Sequence, residues 1–262
     1  MGAGRTGGGG GAGDFALTSW PSGYGFLTLE EVDSTNEEAR RRARAGEAGP
    51  LWITAARQTS GKGRRGRVWI APPGSLSATL LIRPAGPAAM WAQLSFVAAV
   101  ATAEMLAKEL RGGELALKWP NDVLAGGKKI AGILLESETA SDGIAAWLAV
   151  GIGVNLRAFP DDTDLPATAV AALGATPPTP DDALLDLADA FAKWYETWRE
   201  GGFAPVREAW LARAHGLGSR IRVRLAREEI TGVFRDIDDA GALVLGLPGG
   251  VERKVSAGEV FF

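Results

Sequence analysis

The stretch KWPNDVLAGGKKIAGILLES (residues 118–137) decides the fold. Strand-forming residues lie on both sides of Gly126-Gly127, a pair typical of the tight turn of a β-hairpin. The next apolar run, IAAWLAVGIGVNL (144–156), continues the same sheet. Polar side chains interrupt these strands at Lys118, Asn121, Asp122 and Lys129. Because a buried polar group is costly unless it has a partner, the hairpin is also a candidate functional site.

Two simpler interpretations of these polar residues stay open. Lys118 is also consistent with a solvated strand end, and Asn121-Asp122 after Pro120 with an Asx turn. Lys129 differs, because it directly precedes the apolar run IAGILL, where strand alternation turns either Lys129 or Ile130 inward.

Outward from the hairpin, strands alternate with helices. The segments LWITA (51–55) and SLSATLLIR (75–83) are predicted strands, and apolar spacing with capping signals predicts helices over 36–45, 90–110, from Asp181 onward and over 203–214. After Gly218 the pattern changes to short strands with tight turns. The expected fold class is α/β, with a small all-β module at the C-terminal end. We expect three parts: a disordered glycine-rich tail (1–20), a main domain (21–215) and the β module (216–262).

Composition excludes several classes of chemistry. The chain has 28 Lys and Arg against 31 Asp and Glu, a net charge of −3, which gives no global attraction to nucleic acid or anionic lipid. The absence of Cys excludes disulfides, thiol nucleophiles and iron–sulfur clusters. The single histidine, His215, lies outside any Ser-His-Asp or H-E-x-x-H context. An enzymatic activity must therefore rest on Lys, Arg, carboxylates, backbone amides or a hard metal ion.

Positive charge is concentrated in one window. Between Glu47 and Glu104 there is no acidic residue, whereas six cations occur there: Arg57, Lys62, Arg64, Arg65, Arg67 and Arg83. The core of the window, GKGRRGRV (61–68), matches the dinucleotide and kinase glycine patterns, but the acid that a dinucleotide fold places about 20 residues later is missing, as are the kinase H-R-D and D-F-G loops. A solvated surface loop is the simpler alternative. Three glycines and four cations together predict instead a loop that closes on a phosphate or carboxylate.

The chain gives no signal for a membrane or for export. The most apolar run, Ala88–Ala103, is shorter than the roughly 20 residues of a membrane span and contains Gln93 and Ser95. The N-terminus lacks the apolar segment of a signal peptide. We therefore expect a cytoplasmic protein with no membrane partner.

Five motifs in order resemble the biotin protein ligases. They are DSTN (33–36), QTSGKGRRGRVW (58–69), KWPND (118–122), KKIAGIL (128–134) and GIGVNL (151–156), followed by the β module. Each alone is weak, but five in this order are specific. The resemblance extends from about Gly25 to the C-terminus.

The resemblance implies a fold and a reaction. The catalytic domain would be similar to class II aminoacyl-tRNA synthetases, with a mixed central sheet, and the C-terminal module would be an SH3-like β-barrel. Biotin and ATP with Mg²⁺ would give biotinyl-5′-AMP, and the biotinyl group would pass to a lysine of a biotin carboxyl carrier protein domain, as of acetyl-CoA carboxylase. No permanently bound cofactor is implied. Acyl-adenylate chemistry requires neither Cys nor His, since the enzyme's task is to orient two anions and stabilise charge.

The resemblance also assigns roles to residues of this chain. Lys129, Arg64 and Asp122 would be catalytic, with Asp122 also the candidate ligand of Mg²⁺. The biotin-binding set would be Ser34, Thr35, Asn36, Gln58, Lys62, Gly63, Arg64, Lys129 and Gly132. The nucleotide-binding set would be Gly61, Arg64, Arg65, Trp69, Lys118, Asn121, Lys129 and Asn155.

This chain departs from the family pattern in two places. Lys62 stands where many members carry Arg, which keeps the charge but loses the bidentate fork. In place of the winged helix-turn-helix of bifunctional members there is a glycine-rich tail, so we expect a monofunctional ligase without DNA binding, either monomeric or a homodimer.

Two alternatives compete with this interpretation. A lipoate or octanoate transferase has the same fold, but Gln58 with GKGRRG is the biotin version of the loop. A non-enzymatic RNA-binding module would use the basic loop with the β module, but that module is rich in acidic residues.

Overall fold

The computed structural model describes residues 20–139, 145–161, 163 and 165–262. The tail predicted to be disordered lies almost wholly outside these residues. The described chain contains two sheets, one mixed and one antiparallel.

The first sheet forms the centre of the main domain. Its seven strands are β1 (Gly25–Val32), β2 (Leu51–Gln58), β3 (Leu76–Ile82), β4 (Leu115–Lys118), β5 (Asp122–Ala125), β6 (Lys128–Thr139) and β7 (Ala145–Val154). Their order across the sheet is β1-β2-β3-β7-β6-β5-β4, with β1 and β2 parallel and the other pairs antiparallel. The predicted hairpin is confirmed, because β5 and β6 flank Gly126 and Gly127, which have φ values of 55° and 74°.

Helices cover both faces of this sheet. They are α1 (Thr35–Arg44), α2 (Ala88–Trp91), α3 (Leu94–Glu109), α4 (Pro180–Gly201) and α5 (Phe203–Leu211). Ala39 and Ala43 of α1 pack in one hydrophobic cluster with residues of β2, β3 and β7, whereas α3 and α4 belong to the larger core on the other face. Every residue of β3 is buried, as expected of a strand covered on both faces.

The helix ends agree only partly with the sequence signals. Thr179 caps α4 as predicted, since its hydroxyl accepts a hydrogen bond from the Asp182 amide at 3.1 Å. Ser34 is the N-cap of α1, but its side chain makes no capping bond. The Glu37 carboxylate pairs with Lys62 of the glycine loop, and the Ser34 amide donates instead to Asp33 Oδ1 at 2.7 Å. The single helix predicted over 90–110 is divided into α2 and α3.

The second sheet forms the C-terminal module. Its five strands are β8 (Arg220–Arg224), β9 (Glu229–Ile237), β10 (Leu243–Gly246), β11 (Glu252–Val255) and β12 (Glu259–Phe261). They are antiparallel in the order β11-β10-β9-β8-β12. The indole Nε1 of Trp119, in the KWPND motif, donates to the Gly241 carbonyl at 3.0 Å, so this sheet is joined to the strand region of the main domain.

One helical stretch has the length and apolar composition of a membrane span. It is Ala88–Glu109, of which the sequence pattern had identified only the first part as a shorter run. In the fold, 72% of the apolar window is buried inside the protein, and α3 supplies the larger core with Leu94, Val97 and Met105. The stretch is therefore accounted for as a core helix.

Candidate active site

One cavity of about 400 Å³ lies where the glycine loop, the β5–β6 hairpin and the C-terminal sheet meet. Fifteen of the sixteen residues that the resemblance assigns line it, and they are Ser34, Thr35, Asn36, Gln58, Lys62, Gly63, Arg64, Arg65, Trp69, Lys118, Asn121, Asp122, Lys129, Gly132 and Asn155. Gly61 does not line the cavity. A Cβ at Gly61 would lie 2.3 Å from the Trp69 carbonyl oxygen, so this glycine is required for packing within the loop.

At one end of the cavity, the N-terminus of α1 is held against the end of β2. Gln58 Oε1 accepts hydrogen bonds from the Thr35 amide at 2.8 Å and from the Thr35 hydroxyl at 3.2 Å. Ser34 and Thr35 are buried, with 2% and 4% of their surface exposed. Hydroxyls and an amide fixed in this way suit a neutral polar group such as a ureido ring.

Asn36 is engaged by the protein on both sides of its amide. Its Nδ2 donates to Glu136 Oε2 at 2.7 Å, and its Oδ1 accepts from the Thr79 hydroxyl at 2.6 Å. A carboxylate can only accept, so the contact with Glu136 fixes which side of the amide is nitrogen. The sequence analysis missed Thr79 and Glu136, because both lie within ordinary strand segments.

The glycine loop folds into a small hairpin of its own. The Trp69 amide donates to the Gly61 carbonyl at 2.9 Å, and the Gly63 amide donates to the Arg67 carbonyl at 2.8 Å. At the tip, Arg65 has a φ of 56°, the left-handed conformation that a non-glycine residue adopts at a cost of about 1 kcal/mol or more. The loop therefore reaches the cavity as an ordered segment with its cations at fixed positions.

Two lysines and one carboxylate form the charged centre of the cavity. Lys129 Nζ lies 2.6 Å from Asp122 Oδ1, and Lys118 Nζ lies 4.0 Å from Asp122 Oδ2. Burial lowers the pKa of Lys118 below its usual range, although Asp122 acts in the opposite direction. Neither lysine occupies a solvated strand end, so the alternative for Lys118 is excluded.

Arg64 reaches this centre from the glycine loop. Its guanidinium donates to Asn121 Oδ1 at 3.0 Å, and Asn121 Nδ2 donates to the Ile133 carbonyl at 2.8 Å. Burial lowers the pKa of the Arg64 guanidinium, which nevertheless stays protonated in proteins. The loop and the hairpin thus share a direct contact within the cavity.

Trp69 fits against two glycines of the sheet. A Cβ at Gly153 would lie 2.3 Å from Cε2 of the indole, and a Cβ at Gly132 would lie 3.2 Å from Cζ3. Lys129 Nζ is 5.6 Å from the centre of the same ring. Asn155 donates from Nδ2 to the Thr168 carbonyl at 3.0 Å, whereas its buried Oδ1 has no hydrogen-bond partner among the described residues. An orphaned acceptor beside an aromatic face suits a flat ligand with amino hydrogens.

The C-terminal sheet supplies one wall of the cavity, which the sequence analysis had not predicted. Residues Gly258, Glu259, Val260 and Phe261 line it, and Glu259 forms an ion pair with Arg67 of the glycine loop. The spacing of short strands in the sequence could not predict the contact between Arg67 and Glu259, because the glycine loop and β12 are almost 200 residues apart in the chain.

The donor set fits a magnesium ion shared with a substrate. In the described part of the chain, no three His, Cys, Asp or Glu side chains form a metal cluster. Asp122 and Glu259 are the carboxylates of the cavity lining. Mg²⁺ is commonly held by one or two carboxylates together with substrate phosphates and water, so Asp122 is suited to this role.

Comparison with known proteins identifies the class. Residues 29–155 match the biotin/lipoate A/B protein ligase family, and residues 216–262 match the biotin protein ligase C-terminal domain. The biotin–[acetyl-CoA-carboxylase] ligase of Paracoccus denitrificans is 47% identical over 246 residues, which are 89% of this chain and 99% of that protein. The chain therefore belongs to the biotin/lipoate A/B protein ligase family.

Solved structures identify a narrower class of protein within this family. The biotin protein ligase of Aquifex aeolicus in complex with biotin and ATP has a TM-score of 0.75 and 27% identity, over 90% of this chain and 97% of that one. The enzyme of Leishmania major in complex with biotinyl-5-AMP has a TM-score of 0.61 and 27% identity, over 89% of this chain and 99% of that one. Together with the matching C-terminal domain, these likenesses identify a biotin protein ligase and confirm the predicted fold class of a mixed α/β domain with a C-terminal β domain.

Proposed function

We propose that this cavity joins biotin to AMP and then transfers the biotinyl group to a lysine of a biotin carboxyl carrier protein domain. In the first step the biotin carboxylate attacks the α-phosphorus of ATP, and pyrophosphate leaves. In the second step the lysine amine attacks the acyl carbon, and AMP leaves. The 47% identity to a ligase named for this reaction and the two-domain match support the proposal.

The biotin end is assigned to the region around α1. Ser34, Thr35 and Gln58, which line the cavity, would bind the ureido ring, and Lys62 and Gly63 would cover it from the glycine loop. Asn36 is given a positioning role, because Thr79 and Glu136 already engage its amide.

The reacting atoms are assigned to the charged centre. Lys129 would bridge the biotin carboxylate and the α-phosphate, and Arg64 would stabilise the charge that develops on the phosphate. Asp122 would hold Mg²⁺ in the first step and accept the proton of the incoming amine in the second. Mg²⁺ supplies charge neutralisation of the phosphates when bound.

The nucleotide would occupy the region around Trp69. The indole face and the orphaned Asn155 Oδ1 suit an adenine ring and its amino group. Lys118, Asn121 and Arg65 would complete the phosphate side of the cavity, and Gly132 would line the biotin side.

The proposal extends to organisation and partners. Residues 21–215 would form the catalytic domain and 216–262 the C-terminal domain, in a cytoplasmic protein that acts as a monomer or homodimer without binding DNA or membranes. Acetyl-CoA carboxylase or a related carboxylase would provide the acceptor lysine.

The observation that carries the proposal is the position of Lys129 in the cavity, 2.6 Å from Asp122 and 5.6 Å from the centre of the Trp69 ring. We would measure biotin-dependent release of pyrophosphate from ATP. Lys129→Met should reduce turnover by about 100-fold or more, as for loss of a preorganised charge. Lys128→Met is the matched control, because Lys128 is the neighbouring exposed lysine of the same strand, and it should leave turnover unchanged. Release driven by lipoate instead of biotin, or equal loss in both variants, would contradict the proposal.

A further inference from the structure

A strip of arginines borders the mouth of the cavity on the C-terminal sheet. Alternation along β8 buries Ile221 and Val223 and exposes Arg220, Arg222 and Arg224 on the other face. We call these three arginines, together with Phe261 of the neighbouring strand β12, the arginine rim. The side chains of Arg222 and Arg224 are 50% and 53% exposed.

The arginine rim is continuous with the active site. Phe261 lines the cavity and pairs with Arg222 in the sheet register. The guanidinium carbons of Arg222 and Arg224 lie 5.1 Å and 4.6 Å from the centre of the Phe261 ring, within the range of cation–π contact. The two arginines therefore lie against the ring of a residue that lines the cavity.

Ion pairing among the described residues compensates only part of this charge. One carboxylate, Glu229, faces both arginines at 3.4 Å and 3.7 Å, and such exposed pairs contribute about 1 kcal/mol or less. Glu259, the carboxylate of β12, lies opposite Arg224 in the strand register, and its side chain is paired with Arg67. The arginine rim thus presents excess positive charge and an aromatic edge to solvent.

The small reactants do not account for this charge. Among the described residues lining the cavity, six cations already face two carboxylates, so ATP and biotin have counter-charges inside. The cavity-lining part of the C-terminal module is Gly258 and the following strand β12, whereas the arginines belong to β8 beside it. An anion that contacts them must stand at the mouth and not in the cavity.

We propose that the arginine rim is the docking surface for the acceptor carrier domain, and that it recognises an acidic face beside the target lysine. The inference rests on the proposed function, since transfer requires a protein lysine to enter this mouth. The chain flanking that lysine then remains outside, against the arginine rim. Guanidinium groups on an aromatic ring suit carboxylates and also increase the rate of encounter with an acidic partner.

The test separates adenylation from transfer. The double variant Arg222→Glu/Arg224→Glu reverses the charge of the arginine rim, and Arg222→Gln/Arg224→Gln removes it with less disturbance. The control Arg253→Glu/Lys254→Glu makes the same change of charge on β11, at the opposite edge of the same sheet. For each, one assay measures pyrophosphate release without acceptor, and the other measures single-turnover transfer from preformed biotinyl-5′-AMP to a purified carrier domain at increasing concentrations and salt.

The Glu variant should release pyrophosphate at the parental rate with an unchanged KM for ATP. Its half-saturating concentration of carrier domain should rise about tenfold or more, and the Gln variant should be intermediate. The Gln variant should lose most of the salt dependence, whereas the Glu variant should transfer better as salt screens its repulsion from the acidic partner. The control should transfer normally. Unchanged transfer in both rim variants, an equal loss in the control, or a raised KM for ATP, as expected of a nucleotide-phosphate site, would overturn the inference. Absence of biotin-dependent pyrophosphate release in the parent protein would instead refute the proposed function.

Discussion

Removing the buried hydroxyl of Thr79, which contacts the biotin-site residues Thr35 and Asn36, should weaken biotin binding. Thr79 has no exposed surface, and its Oγ1 lies 2.6 Å from Asn36 Oδ1 and 2.8 Å from Thr35 Oγ1. An amide oxygen cannot donate, so the single hydroxyl proton of Thr79 belongs to the bond with Asn36. Thr79→Val keeps the shape of the side chain but leaves that oxygen buried without this donor.

The cost of an unsatisfied buried acceptor is about 1–3 kcal/mol. In the unliganded variant, residues 34–36 relax to recover part of this cost, and biotin must restore their arrangement when it binds. Since 1.4 kcal/mol is a factor of ten, we expect biotin affinity to fall about tenfold, with little change in the affinity for ATP. Isothermal titration calorimetry with each ligand measures both.

Thr102→Val is the matched control. Thr102 is also fully buried and its hydroxyl also makes a hydrogen bond, to the Ala98 carbonyl at 2.7 Å within α3. It should bind biotin normally. If Thr79→Val unfolds at a lower temperature but binds biotin as tightly as the parent, the positioning role of the Asn36 network is refuted.

Three further substitutions have expected outcomes. Glu136→Gln keeps an acceptor for Asn36 and should retain most biotin affinity, whereas Glu136→Ala should lose about as much as the valine variant; equal behaviour of the two would contradict a role in orienting the amide. Gly153→Ala places a methyl group within 2.5 Å of the Trp69 indole and should raise the KM for ATP far more than that for biotin, measured by pyrophosphate release. Lys118→Met should raise the melting temperature at neutral pH while reducing adenylation. Burial lowers the pKa of Lys118, so the charged form of this side chain destabilises the fold. The free energy of unfolding of the parent should therefore rise with pH in the alkaline range, whereas that of the variant should not. Parallel pH profiles of the two proteins would contradict this reasoning.

Local signals predicted the elements that depend on neighbouring residues. The turn at Gly126-Gly127 requires two residues with positive φ, and glycine supplies both, so the β5–β6 hairpin was readable from the sequence. The start of α4 was also readable from a local signal, because the Thr179 hydroxyl accepts from the Asp182 amide only three residues further along the chain. The five motifs, in their order along the chain, predicted the family, and the family implied the fold.

Tertiary contacts decided what the sequence could not predict. Glu37 has the spacing of a capping box, but its carboxylate pairs with Lys62, a residue that the chain brings near only after β2 is formed. The break between α2 and α3 coincides with Gln93, whose side chain accepts from Trp198 at 2.7 Å and donates to the Asp239 carbonyl at 2.8 Å. Such bonds over more than 100 residues leave no periodic trace in the sequence.

The ion pair between Arg67 and Glu259 sets a limit on exchanging parts between ligases. Strand β12 forms one wall of the cavity. The carboxylate of Glu259 on this strand pairs with the guanidinium of Arg67 in the other domain. A hybrid that joins 21–215 to the C-terminal domain of a relative would form the cavity from residues of two different proteins. We expect such a hybrid to be active only where the donated strand carries an acidic residue at the position of Glu259. Catalysis would then be retained by exchanging the two paired residues together and not by exchanging either domain alone.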